Sequence, residues 1–427
     1  MKRLLMLLLM LGLALPLTAQ EKPVAVRAGR MLDVRTGELR PNVTILIRGD
    51  RIVAVGENLR LPADAQVIDL GQATVLPGLI DMHTHLTFDY RYMGYRGLGL
   101  SESRQTLMGV AAARKVLEAG FTTARNLGTS DWGDVALRDA IADGDFPGPR
   151  ILAAGPSLGI TGGHCDENLL PAEYHVRARG VADGPWAVRA QVRENIKYGA
   201  DVIKFCATGG VLSKGDDASG LQYTFEEMQA LVDEAHKLGR KVAAHAHGAE
   251  GIKLALRAGV DTIEHGSLID DEGIRLMKER GAYLVPTVYT GEYILAEGDK
   301  VGIPDYGMRK MRIVMEGRER SFRAAFAAKV KVAYGTDTAV FPHGRGGRDF
   351  ALMVELGMAP LEALRSATLL AAEAAGMEKD IGTIEVGKYA DLVAVGGNPL
   401  ENISVMEQVK FVMKGGKVYK NELGGTK

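Results

Sequence analysis

The stretch Thr74-Val75-Leu76-Pro77-Gly78-Leu79-Ile80-Asp81-Met82-His83-Thr84-His85 opens as a strand and ends on two histidines two residues apart. In an extended strand such residues point to the same side, so both imidazoles converge on one point. That is the arrangement a divalent cation binds. After this first run, 74–82, seven more strand-like runs follow, over 122–127, 150–154, 202–206, 242–245, 262–265, 283–288 and 332–335. Amphipathic segments over 106–119, 225–238 and 250–258 lie between some of them. Repeated strand-then-helix units predict a parallel sheet, and eight of them fit an α/β fold of the (β/α)8 TIM barrel type. A doubly wound open sheet would need a glycine-rich phosphate fingerprint after its first strand, and none is there.

In such a barrel the strand C-termini open onto the active-site face. Further residues of the ligand type stand at these ends: Lys204, His245, His265 and Asp337. Lys204 sits inside the apolar run Val202-Ile203-Lys204-Phe205-Cys206, where a charged amine is costly to bury. One reading is a buried salt bridge. The other is a carbamate, formed when the neutral amine takes up carbon dioxide and becomes an anion that bridges two metals.

Outward from the barrel, both chain ends read as short strands. Runs at 24–26, 43–47, 51–55 and 65–68 precede it, with Gly49-Asp50 as a hairpin turn. Runs at 391–395, 409–413 and 417–419 follow it, with Gly415-Gly416 between the last two. Neither piece makes a good core alone, so residues 20–76 and 384–427 are expected to join as one small β-sandwich beside a barrel over 77–383. Residues 1–19 read as a secretory signal peptide: Met1-Lys2-Arg3, an apolar run, then Thr18-Ala19. That run is shorter than the roughly 20 residues a membrane span needs. Export to the periplasm or medium is expected, with no membrane attachment after processing.

Composition narrows the field. The chain has 427 residues with 52 Lys plus Arg against 53 Asp plus Glu, a formal net charge of -1. Nothing in that balance favours nucleic acid or an anionic membrane. Two cysteines, Cys165 and Cys206, cannot make a disulfide framework, and the sequence leaves open whether they pair.

With these residues in view, the chain resembles the amidohydrolase superfamily. Its softer strings, Lys204 to Gly210 and Thr161-Gly162-Gly163-His164, are similar to the branch of Xaa-Pro dipeptidases, related carboxypeptidases and ochratoxin-degrading amidohydrolases. The resemblance implies a site for two divalent metals, most often zinc. His83, His85 and Asp337 would hold the more buried one, His245 and His265 the more exposed one, and N6-carboxylysine at Lys204 with a hydroxide would bridge them. Asp337 would take the proton of that hydroxide and pass it to the leaving amine. The implied substrate is a small amide: an Xaa-Pro-type dipeptide, an N-acyl amino acid or ochratoxin A. A homo-oligomer is implied as well.

Other assignments are softer. His247 competes with His245 as ligand, and otherwise faces the carbonyl or the substrate carboxylate. His164, beside two glycines, is expected to touch substrate or transition state. Tyr223 and His343 are expected to bind substrate; Arg345 and Arg348 share the His343 loop. Phe88, Tyr90 and Tyr92 could wall an aromatic pocket, while His175 and His236 read as structural. Two competing functions stand beside this one. The first is a cyclic-amide hydrolase of the imidazolonepropionase type, against which export counts. The second is a barrel that binds without catalysis, against which the complete ligand set counts.

Overall fold

The computed structural model describes residues 22–423, so the proposed leader at 1–19 lies outside the described residues. Five strands come first: β1 (Val24–Leu32), β2 (Leu39–Arg48), β3 (Arg51–Glu57), β4 (Gln66–Asp69) and β5 (Thr74–Pro77). The α/β body then alternates β6 (Leu79–Thr84), α1 (Glu102–Glu118), β7 (Phe121–Asn126), α2 (Gly133–Asp143), β8 (Arg150–Ala153), α3 (Pro185–Lys197) and β9 (Val202–Cys206). It continues with α4 (Phe225–Lys237), β10 (Lys241–Ala246), α5 (Ala249–Ala258), β11 (Thr262–His265), α6 (Asp271–Arg280), β12 (Tyr283–Val285), α7 (Val288–Val301) and α8 (Asp305–Ala327). After α9 (Arg348–Glu355), α10 (Pro360–Ser366) and α11 (Leu369–Ala375), the chain closes with β13 (Leu392–Val395), β14 (Phe411–Lys414) and β15 (Lys417–Asn421). Among the described residues, no helix is long and apolar enough to cross a membrane.

The expected first barrel strand is in fact two strands. Pro77 and Gly78 divide it: β5 pairs with β13, while β6 pairs with β7. Gly78 fits because a Cβ there would lie 2.2 Å from Thr122 Oγ1 and 2.9 Å from Asp391 Cβ. One apolar run thus serves two sheets.

Strands from both chain ends join in one eight-stranded sheet, ordered β15-β14-β13-β5-β1-β2-β3, with β4 also on β1. The edge of β1 is shared, its first half with β4 and its second with β5. Val26, Ile45, Ile52, Leu392 and Phe411 meet in one core, so neither end is buried without the other. The two chain ends do join as expected, but in one sheet and not in a two-sheet sandwich.

The body holds two parallel sheets, β6-β7-β8 and β12-β11-β10-β9. Their strands are buried almost throughout, as parallel strands covered by helices must be. Single parallel bridges connect their edges: Leu158 to Phe205, Leu284 to Val332 and Thr84 to Thr338. The run 332–335, expected as an eighth regular strand, makes only scattered bonds. Met82 N–H donates to the Tyr334 carbonyl, and Asp337 N–H donates to that of His83. Positive φ at Asp337 (59°) and Ala339 (111°) turns the chain away from regular pairing there.

Candidate active site

Six residues, carried by β6, β9, β10 and β11 or just past them and by the irregular run after Val332, line one cavity of about 720 Å³: His83, His85, Lys204, His245, His265 and Asp337. Asp337 Oδ1 lies 3.5 Å from His83 Nε2 and 3.3 Å from His85 Nε2. Ligand atoms of His83, His265 and Asp337 lie within 4.8 Å of one another, and so do those of His245, His247 and His265. Burial pushes the imidazoles down, His83 to about 4 and His247 to about 3, with His245 and His265 well below their ordinary value. Neutral imidazole is the form that offers a lone pair to a metal. Four of the non-glycine residues with positive φ belong to this floor and its rim: His265, Thr287, Asp337 and Ala339. Held strain of this kind marks a site that the surrounding packing over-determines.

Lys204 lies at the base of this group, 4% exposed. Burial lowers its ammonium pKa to about 8, against the pull of Glu264 and Asp337. Among the described residues it has no ion-pair partner or hydrogen-bond acceptor, so the salt-bridge reading of this lysine fails.

Two buried charges that the sequence reading passed over orient the ligands. Glu264 Oε2 lies 2.8 Å from His83 Nδ1, and its other oxygen meets Arg125 Nη2 at 2.8 Å and the Thr262 hydroxyl. Burial would raise the Glu264 carboxyl, but Arg125 and His83 outweigh it and take it down to about 2. A carboxylate only accepts, so His83 Nδ1 carries the proton and Nε2 is left for a ligand. Glu264 and His265 are neighbours and would face opposite sides of a regular strand. The φ of 69° at His265 breaks that alternation, so both serve one centre. The readable signal was a charge inside an apolar run, the same signal Lys204 gave.

Glu264→Gln keeps the shape but not the charge. It is expected to weaken metal binding about 10- to 100-fold, as loss of a ligand's orienting partner does. It should also cost a few kcal/mol of stability, roughly 3–5 when a buried partner is left unpaired, here Arg125. Metal titration and denaturant unfolding check the two effects separately.

His265 Nδ1 lies 2.8 Å from the Thr287 hydroxyl, and His247 Nδ1 lies 2.9 Å from that of Ser267. His164 reaches the cavity from the loop after β8, its ring centroid 4.2 Å from that of His245. Its Nδ1 is 2.9 Å from Ser213 Oγ, whose hydroxyl donates to Asp216 at 2.7 Å. The hydroxyl proton being spent on Asp216, Ser213 accepts from His164 Nδ1–H and leaves Nε2 facing the cavity. Lys310 Nζ holds Asp216 at 2.6 Å. A disulfide joins Cys165, beside His164, to Cys206, two residues past Lys204, and so ties this loop to the floor.

Two expected substrate contacts lie elsewhere. Tyr223 is 1% exposed, does not line the cavity, and donates its hydroxyl to the Ala182 carbonyl at 3.0 Å. It is a core residue with a satisfied polar tip. His343 is also buried outside the lining, its Nε2 3.4 Å from the His85 carbonyl, so it backs a ligand strand. Of the aromatic loop, Phe88 and Tyr92 line the cavity and Tyr90 does not. His175 stands in an exposed turn, and His236 pairs with Asp261 at 2.8 Å away from the cavity.

The family model described as the amidohydrolase family matches residues 74–419. Ochratoxinase of Aspergillus niger is 33% identical, the alignment covering 94% of this chain and 88% of that protein. A crystal structure of a Xaa-Pro dipeptidase with bound methionine in its active site superposes with a TM-score of 0.88. It is 39% identical, over 94% of this chain and all of that one. A prolidase complexed with N-methylphosphonate-L-proline gives a TM-score of 0.86 at 35% identity, over the same shares.

Proposed function

This chain belongs to the amidohydrolase family and is a hydrolytic enzyme acting on amide bonds, and we propose that it cleaves the amide bond to a C-terminal amino acid. Xaa-Pro-type dipeptides and N-acyl amino acids are the substrate class, with ochratoxin A a bulky aromatic member. The observation that carries the reading is the convergence of the six residues on one cavity floor. A cavity of about 720 Å³ suits a dipeptide or an N-acyl amino acid. Its lining combines the apolar Leu98, Leu169, Leu170 and Leu212 with the charged Glu102, Glu167 and Lys214.

The donor set fits two divalent cations, zinc by its imidazole and carboxylate chemistry. His83, His85 and Asp337 would hold one and His245 and His265 the other. A carboxylated Lys204 would bridge them, a role its lack of any ion pair supports. The cations would lower the pKa of a shared water and polarise the scissile carbonyl. Asp337 then accepts the proton and delivers it to the leaving amine. His164 and His247, whose free Nε2 atoms face the cavity, contact the carbonyl as charge develops on it. A (β/α)8 barrel is part of the reading, supported by the bridges at Leu158, Val332 and Thr338. Export is part of the reading, supported by the Cys165–Cys206 disulfide, since such bonds persist in oxidising compartments.

The test is elemental analysis of the purified protein beside a panel of Xaa-Pro dipeptides, N-acyl amino acids, ochratoxin A and a cyclic amide. About two metals per chain with turnover of a linear amide is the expected result. Turnover of the cyclic amide alone would establish the imidazolonepropionase-type reading instead. A protein that holds no metal, purified without chelators, would overturn the assignment of the site.

A further inference from the structure

The Cys165–Cys206 disulfide joins residues 41 apart in the chain, and both of them line the cavity. Cys206 is buried on β9, two residues past Lys204 and therefore on the same side of the strand. Cys165 is half-buried and directly follows His164. The bond thus runs from the strand that carries Lys204 to the loop that carries His164, across Cα atoms 6.1 Å apart. Gly159 makes room for it, since a Cβ there would stand 2.6 Å from Cys165 Cβ.

Few other bonds fasten this loop. Among the described residues, the hydrogen bonds of 160–177 that leave the loop 154–184 are both made by His164 itself. Its backbone N–H donates to Gln222 Oε1 at 3.1 Å and its Nδ1 meets Ser213 Oγ. The rest close the loop on itself, as Thr161 does with Asp183 and Asn168 with the Gly163 carbonyl. Gln222 and Ser213 stand on the irregular segment after β9, whereas the disulfide reaches the buried strand. A segment with few bonds to its surroundings opens at low cost. The seat of the His164 ring is close-fitting: it packs on the His245 ring, and a Cβ at Gly210 would collide with it.

We infer that the Cys165–Cys206 disulfide is the device that positions His164 for the reaction, so that cutting it lowers turnover while the metal site stays loaded. A displacement of about 1 Å in a positioned group costs about 10²-fold. This rests on the amide-hydrolase reading above, in which His164 contacts the carbonyl, and makes the activity of the site depend on its redox state. The cut is a two-electron reduction. A water-soluble phosphine attacks one sulfur and the S–S bond breaks; water then supplies the oxygen of the phosphine oxide and the protons of both thiols.

The experiment uses full-length, metal-loaded protein, reduced with tris(2-carboxyethyl)phosphine that is then removed, with thiol titration to confirm the cut. On a linear amide, kcat is expected to fall about 10- to 100-fold, with KM within about threefold and metal content unchanged. Reoxidation should restore the rate, and the double variant Cys165→Ala, Cys206→Ala should match the reduced enzyme without any reductant. His164→Ala should be slow in both redox states, and reduction should slow it no further, because the bond acts through that histidine. Hydrogen exchange should quicken over 160–177 and not in β9. Thermal unfolding shows whether each form is folded at the assay temperature. An unchanged kcat with both thiols free would overturn the inference, and so would unchanged exchange over 160–177. Loss of metal with the rate, equal slowing of His164→Ala, or unfolding on reduction would each assign the bond to another role and overturn it as well. The exchange measurement needs no turnover, so failure of the oxidised enzyme to hydrolyse any linear amide would overturn the functional reading separately.

Discussion

Asp337→Asn is expected to lower kcat/KM by about 10³-fold or more while most of the metal stays bound. The geometry separates the two roles of this side chain. As a ligand, Asp337 Oδ1 stands 3.3–3.5 Å from the Nε2 atoms of His83 and His85, and an asparagine oxygen can occupy the same place. The backbone that presents it does not depend on the carboxylate: Asp337 N–H donates to the His83 carbonyl at 2.7 Å, and the φ of 59° is set by the surrounding chain. As a base, only the carboxylate serves. Burial pushes its pKa up, but His83, His85 and Lys204 outweigh burial and hold the carboxyl below its ordinary value, ionised at neutral pH. Removing a positioned general base costs about 10²–10⁴-fold. Rates on a linear amide, with elemental analysis of the same sample, check both halves. An unchanged rate would remove Asp337 from proton transfer, and loss of the metal together with the rate would show that its role is ligation alone.

The ligands were legible in sequence because each obeys a local rule. Residues two apart on a strand share a side, and functional residues of a parallel α/β body gather at strand C-termini. The sheet boundary was not legible, because the division at Pro77-Gly78 depends on Thr122 and Asp391 pressing against Gly78 from distant segments. The last strand run was misjudged for a related reason. Asp337 and Ala339 take positive φ, a conformation that Asp tolerates and Ala rarely adopts, so the break in the strand is not written in the local pattern. The family resemblance points to Tyr223, and the loop after Asp337 to His343, as substrate contacts. Their side chains instead turn inward to the Ala182 and His85 carbonyls, a choice that only tertiary packing makes. Glu264 and Arg125 show the reverse error. Each is a charge inside a buried strand, and a consistent search for such charges would have found the pair that orients His83.

Lys204→Ala is expected to reduce turnover below detection and to empty the position between the two groups of histidines. The lysine's own surroundings argue for this. No carboxylate stands at ion-pair distance of this amine, and burial outweighs the pull of Glu264 and Asp337 and brings its pKa down to about 8. The neutral amine is the species that adds carbon dioxide, with loss of a proton, and the carbamate so formed would add a second anion, beside Asp337, to a group otherwise made of neutral imidazoles. Its truncation leaves the cavity intact, since Lys204 lies on β9 with main-chain pairing to Ala243 of β10, which the substitution does not touch. Short carboxylic acids such as propionate should therefore enter the vacated space and restore part of the activity, in proportion to their concentration. A purely structural lysine would show no such rescue. Mass measurement of the intact wild-type protein under bicarbonate, with rescue kinetics of the variant, checks the prediction. Full activity of Lys204→Ala without added acid would end the carbamate assignment, and a folded but dead variant that no acid revives would confine Lys204 to structure.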